Sequence, residues 1–292
     1  MTPSSTHPIL LVGATGTVGG KVAAALADRP GVRALARSDQ AAAQLRAVGI
    51  ADIVRGDVGD RAALDALMAG GGRLLLITPY SEGQDVLELG ALEAAVAAGV
   101  EHVVKLSVSK IPADVPIFAR HARVEEALAA APLTATVLQP EHFMDNLLFQ
   151  LDALADGTVV QTAPPEAPLA HVDARDIADV ATHALTAPEA PAGAFHLTGR
   201  ERLTAAQLAA ELGAALGRDV TAVTPDKDAW AAGARAAGTP EWMIVDALGA
   251  WDLVVTVPRE VSDAVPTLLG RPARPVSAFA REVLAPALSV TA

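Results

Sequence analysis

A glycine-rich turn near the beginning of the chain constrains the fold more than any other feature. The apolar run Pro8–Val12 leads into Gly13-Ala-Thr-Gly16-Thr-Val-Gly19-Gly20-Lys21, and the apolar segment Val22–Leu26 follows at once. This order predicts a buried strand, a tight turn and a helix whose N–H groups and dipole hold an anion, the pyrophosphate of a dinucleotide. A nucleoside-triphosphate loop is excluded because Thr15 replaces its first glycine and Val22 its hydroxyl residue. A structural turn without ligand stays an alternative.

The composition excludes several classes of function. The 292 residues carry 22 Lys and Arg against 34 Asp and Glu, a net charge of −12 without any basic run, so nucleic acid is not an expected partner. The absence of cysteine excludes disulfides, thiolate metal sites and cysteine nucleophiles. No His/Asp/Glu cluster has metal-ligand spacing, and we identify no signal peptide and no membrane helix. We therefore expect a cytoplasmic protein that binds no metal and no membrane.

Alternating strands and helices predict the architecture. Six buried strands occur by Leu138, which indicates an α/β fold with a doubly wound parallel Rossmann sheet. We predict a dinucleotide-binding domain over residues 1–155, joined by a later strand near 195–198, and a smaller, mostly helical substrate lobe over 156–292. Phe143–Leu154 is predicted to be helical, and Thr204 with Gln207 predicts a capping box.

The end of the second strand, Val32–Ala36, decides between NAD and NADP. Dehydrogenases that use NAD place an acidic residue roughly 20 residues after the glycines, where it binds the ribose 2′-hydroxyl. Arg37 and Ser38 stand there instead. Because a guanidinium pairs with a phosphate, we predict NADP(H), with a solvated Arg37 as the alternative. Asp57 and Val58, after the third strand, are expected beside the adenine.

Segments spread along the chain match one protein family. They are Gly13–Gly19, Val32–Arg37, Gly56-Asp57, His121–Leu128, Thr136–Asn146, His171–Asp179, Phe195–Gly199, Leu269–Pro272 and Phe279. On these motifs the chain resembles the NmrA-like branch of the atypical short-chain dehydrogenases/reductases. The resemblance implies a Rossmann domain with a small C-terminal lobe and the nicotinamide at their junction. Members are NADPH-dependent reductases of quinones, imines, enones or aryl ethers, or redox-sensing regulators without catalysis.

The expected NADP(H) contacts lie in the glycine turn and in the loops that follow the strands, which border the cofactor in such folds. They are Gly13, Thr15, Gly16, Thr17, Val18, Gly19, Arg37, Ser38, Asp57, Val58, Thr78, Pro79, Pro140 and Phe143.

The Tyr-x-x-x-Lys pair of many short-chain dehydrogenases is absent. The single tyrosine, Tyr80, is followed four residues later by Gln84, and no lysine has the required spacing. On the helix that should carry the pair, His121 stands roughly in the place of the lysine. Gln139 stands where relatives often have an arginine.

Three residues are therefore candidates for catalysis. His121 is a candidate acid because a histidine pKa lies near neutrality, and its alternative is a surface residue paired with Glu125 at i,i+4. Tyr80 is a candidate proton donor or ring clamp, or else an ordinary loop residue. Ser107, favoured over Ser109, holds the position of the serine of short-chain dehydrogenases.

Six residues are expected to contact the substrate: Tyr80, Phe118, His142, Asn146, Trp230 and Trp242. The tryptophans fall, with Trp251 and Met243, in the predicted lid. Because aromatic residues make up only 3% of the chain, their clustering favours a flat hydrophobic ligand. The alternative is that they anchor the core of the lobe.

The leading hypothesis is an NADPH-dependent reductase of a small conjugated or aromatic substrate of quinone, imine or enone type. The alanine-rich composition suggests bacterial secondary metabolism. The alternatives are a non-catalytic NADP(H)-sensing regulator and a redox-neutral isomerase, dehydratase or cyclase. The assembly is left open between a monomer and a homodimer.

Overall fold

A computed structural model describes residues 7–27, 29–109, 115–256 and 260–291. The strands are β1 Ile9–Val12, β2 Val32–Ala36, β3 Asp52–Arg55, β4 Gly72–Leu76, β5 Val100–Leu106, β6 Thr134–Pro140, β7 His142–Phe143, β8 Thr158–Val160, β9 His171–Val172, β10 Gly193–Leu197 and β11 Thr221–Val223. The α-helices are α1 Thr17–Ala25, α2 Asp39–Ala47, α3 Arg61–Met68, α4 Gln84–Ala97, α5 Pro116–Ala130, α6 Leu151–Ala155, α7 Ala174–Thr186, α8 Ala205–Leu216, α9 Lys227–Ala236, α10 Glu241–Thr256, α11 Ala264–Leu269, α12 Val276–Phe279 and α13 Ala285–Thr291. A 3-10 helix, Met144–Gln150, precedes α6, and a π-helical turn, Ala280–Leu284, precedes α13.

The chain divides into two compact units. The first contains Met1–Val108, Arg120–Gln139 and Ile177–Phe195, and the second contains Ser109–Ala119, Pro140–Asp176 and His196–Ala292. The assignment of residues 1–155 to the cofactor and of 156–292 mainly to the substrate stays a prediction.

The first unit is built around a seven-stranded sheet with the strand order β10-β6-β5-β4-β1-β2-β3. The six strands β1 to β6 pair in parallel, which confirms the predicted doubly wound Rossmann sheet. All four residues of β1 are buried, as expected for a strand covered on both faces. The order reverses between β1 and β4, so the loops after these strands open at the point where α/β sheets bind their ligands.

Short parallel pairings organise the second unit. β7 pairs with β9, which sets His142 opposite His171 and Phe143 opposite Val172, and β8 pairs with β11. The capping box at Thr204 is confirmed.

The predicted helix over Phe143–Leu154 is wrong in its first half. Phe143 belongs to β7, and a 3-10 helix follows. Two side chains of this segment form hydrogen bonds with the backbone of other segments. Asp145 accepts one from Ala174 N at 3.1 Å, and Gln150 accepts one from Val160 N at 2.7 Å. These tertiary contacts override the local helical pattern.

None of the helices in the described ranges combines the length and hydropathy needed to cross a bilayer. Within the same ranges, no group of three or more His, Asp or Glu side chains could hold a metal ion.

Candidate functional site

Two of the glycines Gly13, Gly16 and Gly19, at the turn after β1 and in the first turns of α1, are required by the protein's own packing. Gly13 has a positive φ of +84°, and a Cβ there would lie 2.2 Å from the carbonyl oxygen of Ile77. A Cβ on Gly19 would lie 2.1 Å from the carbonyl oxygen of Gly13. Gly16 differs, because its nearest neighbour would be 3.6 Å away and its φ is −82°. Nothing in the described part of the chain requires a glycine at position 16, and its lack of a side chain is compatible with the close approach of a ligand.

The first turn of α1 is open to an anion. Gly16 is the N-cap and supplies no capping side chain, and no acidic residue stands in the first turn. Thr15, Gly16 and Thr17 are exposed, whereas Val18 and Gly19 are buried beneath them. The uncapped N–H groups of this turn and the positive end of the helix dipole are therefore available to an anion. The predicted phosphate contacts fit a pyrophosphate.

The carboxyl ends of β2 and β3 carry two arginines. Arg37 is exposed, and no hydrogen bond or ion pair holds it within the part of the chain that the structure describes. Ser38 is the N-cap of α2 and accepts a hydrogen bond from Ala41 N at 3.1 Å. Arg55 donates to the carbonyl oxygen of Ala36 at 2.8 Å and pairs with Asp39 at 3.0 Å. Arg55 is not among the residues predicted from the sequence, because its place next to the end of β2 depends on the pairing of β2 with β3.

The other residues predicted near the adenine have structural roles of their own. Asp57 accepts a hydrogen bond from Gly59 N at 3.0 Å and shapes the turn after β3. Val58 is buried in the hydrophobic core. Their contact with a cofactor stays a prediction.

A buried ion pair lies behind the loops after β4 and β5. Lys105 on β5 is completely buried, and its Nζ donates to Glu88 Oε1 at 2.8 Å and to the carbonyl oxygen of Leu106 at 2.7 Å. The third acceptor is Nδ1 of His121, at 3.2 Å. Thr78 donates to the same Glu88 oxygen at 2.8 Å. Burial lowers the pKa of Lys105, and the Glu88 carboxylate opposes this shift.

The environment of His121 contradicts both expectations for this residue. It is buried rather than on the surface, and Glu125 bonds other groups. Burial, followed by the charges of Lys105 and Arg120, lowers the pKa of His121 to about 2, so a pKa near neutrality is wrong. His121 is therefore not an imidazolium acid at neutral pH, and any other catalytic role stays a prediction.

Ser107 belongs to a second polar cluster. Its hydroxyl donates to Glu125, and Gln139 donates to the other oxygen of the same carboxylate at 2.8 Å. Gln139, the departure from the family pattern, thus supplies a partner for Glu125. Tyr80 and Pro79 stand exposed in the loop after β4.

The second unit contains a small cavity of about 80 Å³ beside the β7–β9 pair. Three predicted site residues line it: His142, Phe143 and Asn146. The further polar lining residues, which were not among the predicted site residues because they come from separate parts of the chain, are Gln150, Gln161, Thr162 and His171. Pro140, buried at the end of β6, accepts hydrogen bonds from Ser109 N and Oγ at 3.1 and 3.0 Å.

The tryptophans pack within the helices of the second unit. The rings of Trp230 on α9 and Trp251 on α10 meet edge to face with centroids 6.1 Å apart, and Trp251 is buried. Trp242 and Phe118 are half-buried, and neither they nor Trp230 lines the small cavity. The contacts of these residues with a substrate stay predictions.

A larger recess of about 440 Å³ in the second unit is lined by other residues, among them Arg200 and Arg271. Arg271 also pairs with the buried carboxylate of Asp176 at 2.8 Å. None of the predicted site residues lines this recess.

Comparisons with known proteins identify the family. Residues 5–229 match the NmrA-like family. The chain is 38% identical over 213 residues to a (4-alkanoyl-5-oxo-2,5-dihydrofuran-3-yl)methyl phosphate reductase of Streptomyces griseus, covering 72% of this chain and 74% of that protein. It is 31% identical over 280 residues to an NAD(P)H azoreductase of Xenophilus azovorans, covering 94% and 96%. The structure matches an NADPH-dependent quinone oxidoreductase of Escherichia coli complexed with NADPH, with a TM-score of 0.79, 26% identity and coverage of 97% and 99%. The chain belongs to the NmrA-like family.

Proposed function

We propose that this protein is an NADPH-dependent reductase of a small conjugated or aromatic substrate of quinone, imine or enone type. One observation carries the proposal. The first turn of α1 has no capping side chain and no acidic residue, and it begins at Gly16, where packing does not require a glycine. Arg37, which no hydrogen bond or ion pair holds within the described ranges, follows the neighbouring strand β2. These groups fit the pyrophosphate and the 2′-phosphate of NADPH.

Different groups of the chain bind different parts of the cofactor. The N–H groups of the first turn of α1 hold the pyrophosphate, and Arg37 selects NADPH over NADH through the 2′-phosphate. Thr78, Pro79, Pro140 and Phe143 are proposed contacts nearer to the nicotinamide. When bound, NADPH supplies a hydride to an electrophilic carbon or oxygen of the substrate.

The available proton donors favour substrates that need little acid catalysis. His121 is neutral at pH 7, and the hydroxyl of Ser107 already donates to Glu125. Tyr80 is exposed in its loop, where water also has access. Reduction of an iminium needs no proton at all, and water can protonate a reduced quinone. A simple ketone, which needs a strong donor at its oxygen, is the less suitable substrate.

The relatives support this substrate class. Their names describe reduction of a conjugated furanone, an azo compound and a quinone. The furanone phosphate reductase comes from Streptomyces, and the alanine-rich composition agrees with a place in bacterial secondary metabolism.

Oxidation of NADPH at 340 nm with a panel of quinones, imines, enones and azo dyes tests the proposal. We expect turnover with at least one substrate class and a preference for NADPH over NADH. Binding of NADPH is measured in parallel by quenching of tryptophan fluorescence. Tight binding without oxidation by any substrate would overturn the proposal in favour of a regulator. Conversion of a substrate without consumption of NADPH would favour an isomerase, dehydratase or cyclase.

A further inference from the structure

Two buried polar side chains face the small cavity without partners. Gln161 is 5% exposed, and neither its Oε1 nor its Nε2 has a hydrogen-bond partner among the residues that the structure describes. Within the same residues, Nε2 of His171, which is 8% exposed, also lacks one. Buried polar atoms in proteins are nearly always paired, because burial removes their hydrogen bonds to water. These three atoms therefore indicate a partner that enters the cavity.

The backbone around the cavity fixes the two side chains in place. His171 lies on β9 in register with His142 on β7, and the two imidazole rings meet edge to face at 5.9 Å. Gln161 follows β8, and its N–H donates to the carbonyl oxygen of Val223 at 3.0 Å. Strand pairing thus holds both residues at the wall of the cavity. Asn146 also lines the cavity and is exposed, so it marks the opening.

The lining of the cavity combines apolar side chains with uncharged polar ones. No Lys, Arg, Asp or Glu contributes to it in the described part of the chain. Burial, followed by the neighbouring His142, lowers the pKa of His171 to about 3, so the imidazole is neutral at physiological pH. The charge of Glu141 acts on His171 from outside the lining, but among the described residues the lining itself supplies no counter-ion for a charged ligand, so burial of such a ligand there would be unfavourable.

The size of the cavity limits what it can hold. A volume of about 80 Å³ leaves room for several water molecules and is roughly half of the ~150 Å³ of a cavity that holds a benzene ring. An aromatic ring does not fit, whereas a substituent such as a hydroxymethyl group does. The apolar side chains of Leu147 and Leu208 complete the wall.

We propose that this cavity binds an uncharged hydroxyl substituent of the reducible substrate, with Gln161 and His171 as the residues that determine this specificity. A hydroxyl donates and accepts at once, so it pairs with the carbonyl oxygen of Gln161 and with an N–H of Gln161 or His171. A site built to bind a hydroxyl rejects the analogue that lacks it, because the buried polar groups are then left unpaired. This assignment rests on the proposed reductase function.

The test compares two quinones that differ in one group, 2-hydroxymethyl-1,4-benzoquinone and 2-ethyl-1,4-benzoquinone. For the wild type we expect kcat/KM to be at least tenfold higher for the hydroxymethyl compound, mainly through KM. Gln161→Met, which keeps the length of the side chain, should bring the ratio close to one. The matched control Gln44→Met, at an exposed position on α2, should keep the ratio of the wild type.

A binding experiment separates this proposal from the reductase function. Calorimetry with 2-(hydroxymethyl)naphthalene and 2-ethylnaphthalene, in the presence of NADP⁺, should show at least tenfold tighter binding of the alcohol. The same preference without reduction of any quinone, imine, enone or azo dye would support the cavity and reject the reductase. Equal kcat/KM and equal affinity for both members of each pair in the wild type would overturn the cavity assignment and mean that water alone fills it. The wild-type comparison decides even if Gln161→Met does not fold.

Discussion

Replacing Arg37 by alanine removes the side chain assigned to the 2′-phosphate. Arg37 is exposed directly after β2, and nothing in the described ranges competes for its guanidinium. A hydrogen bond to a charged group contributes about 1.5–3 kcal/mol, and solvent screening at an exposed position favours the lower end, about 1.5 kcal/mol. Because 1.4 kcal/mol is a tenfold change, the Kd for NADPH should rise about tenfold.

Titration with NADPH and NADH, followed by tryptophan fluorescence, measures this change. The Kd for NADH should stay the same, since NADH has no 2′-phosphate. Arg46→Ala, at an exposed position on α2, is the matched control and should bind both cofactors like the wild type. Added salt should weaken NADPH binding to the wild type more than to Arg37→Ala. An unchanged ratio of the two Kd values in Arg37→Ala, or equal weakening of both, would refute the assignment.

Gly16→Ala should leave the melting temperature nearly unchanged but weaken NADPH binding at least tenfold, whereas Gly19→Ala should destabilise the fold, because its Cβ would lie 2.1 Å from a backbone oxygen. Thermal melts and the fluorescence titration separate these effects, and wild-type affinity in Gly16→Ala would contradict a close approach of the phosphates. Lys105→Met leaves the Glu88 carboxylate buried without its cation and should lower the free energy of unfolding by about 3–5 kcal/mol, while adding Glu88→Gln should restore most of it. Urea unfolding measures both, and equal stability of the single and double variants would argue against the pair. Burial, followed by the charge of Arg73, lowers the pKa of His102 from 6.5 to about 4, so its contribution to stability is complete above pH 6.5 and is lost as the pH falls through 4. The free energy of unfolding should decrease by about 1.4 kcal/mol per pH unit for this residue in that window, and a slope that is the same in His102→Gln would contradict the pKa.

The elements that the sequence predicts well are those determined by neighbouring residues. The turn at Gly13 to Gly19 and the six strands through β6 follow from local patterns of apolar residues and glycines, and the structure has them within a few residues. The capping box at Thr204 likewise needs only a residue three positions away. Local chemistry therefore suffices for the Rossmann sheet and for the helix that faces the phosphates.

The remainder depends on contacts between distant segments. Lys105 is a charged residue in an otherwise apolar strand, which signals a buried partner, but only the packing of α4 against β5 identifies Glu88. The neutrality of His121 follows first from its burial and then from the charges of Lys105 and Arg120, and the spacing to Glu125 could not predict it. The cavity at Gln161 combines residues from distant parts of the chain, and no local pattern shows that Gln161 and His171 line the same cavity.

An anaerobic single-turnover experiment tests most directly whether this chain transfers a hydride from NADPH to a conjugated substrate. The protein with one equivalent of NADPH is mixed with 1,4-naphthoquinone, and the absorbance at 340 nm is followed together with the hydroquinone. We expect the absorbance to fall by one equivalent in a single phase while the hydroquinone appears at the same rate. An absorbance that stays constant for this quinone and for each member of the imine, enone and azo panel, with NADPH still bound, would contradict the reductase function.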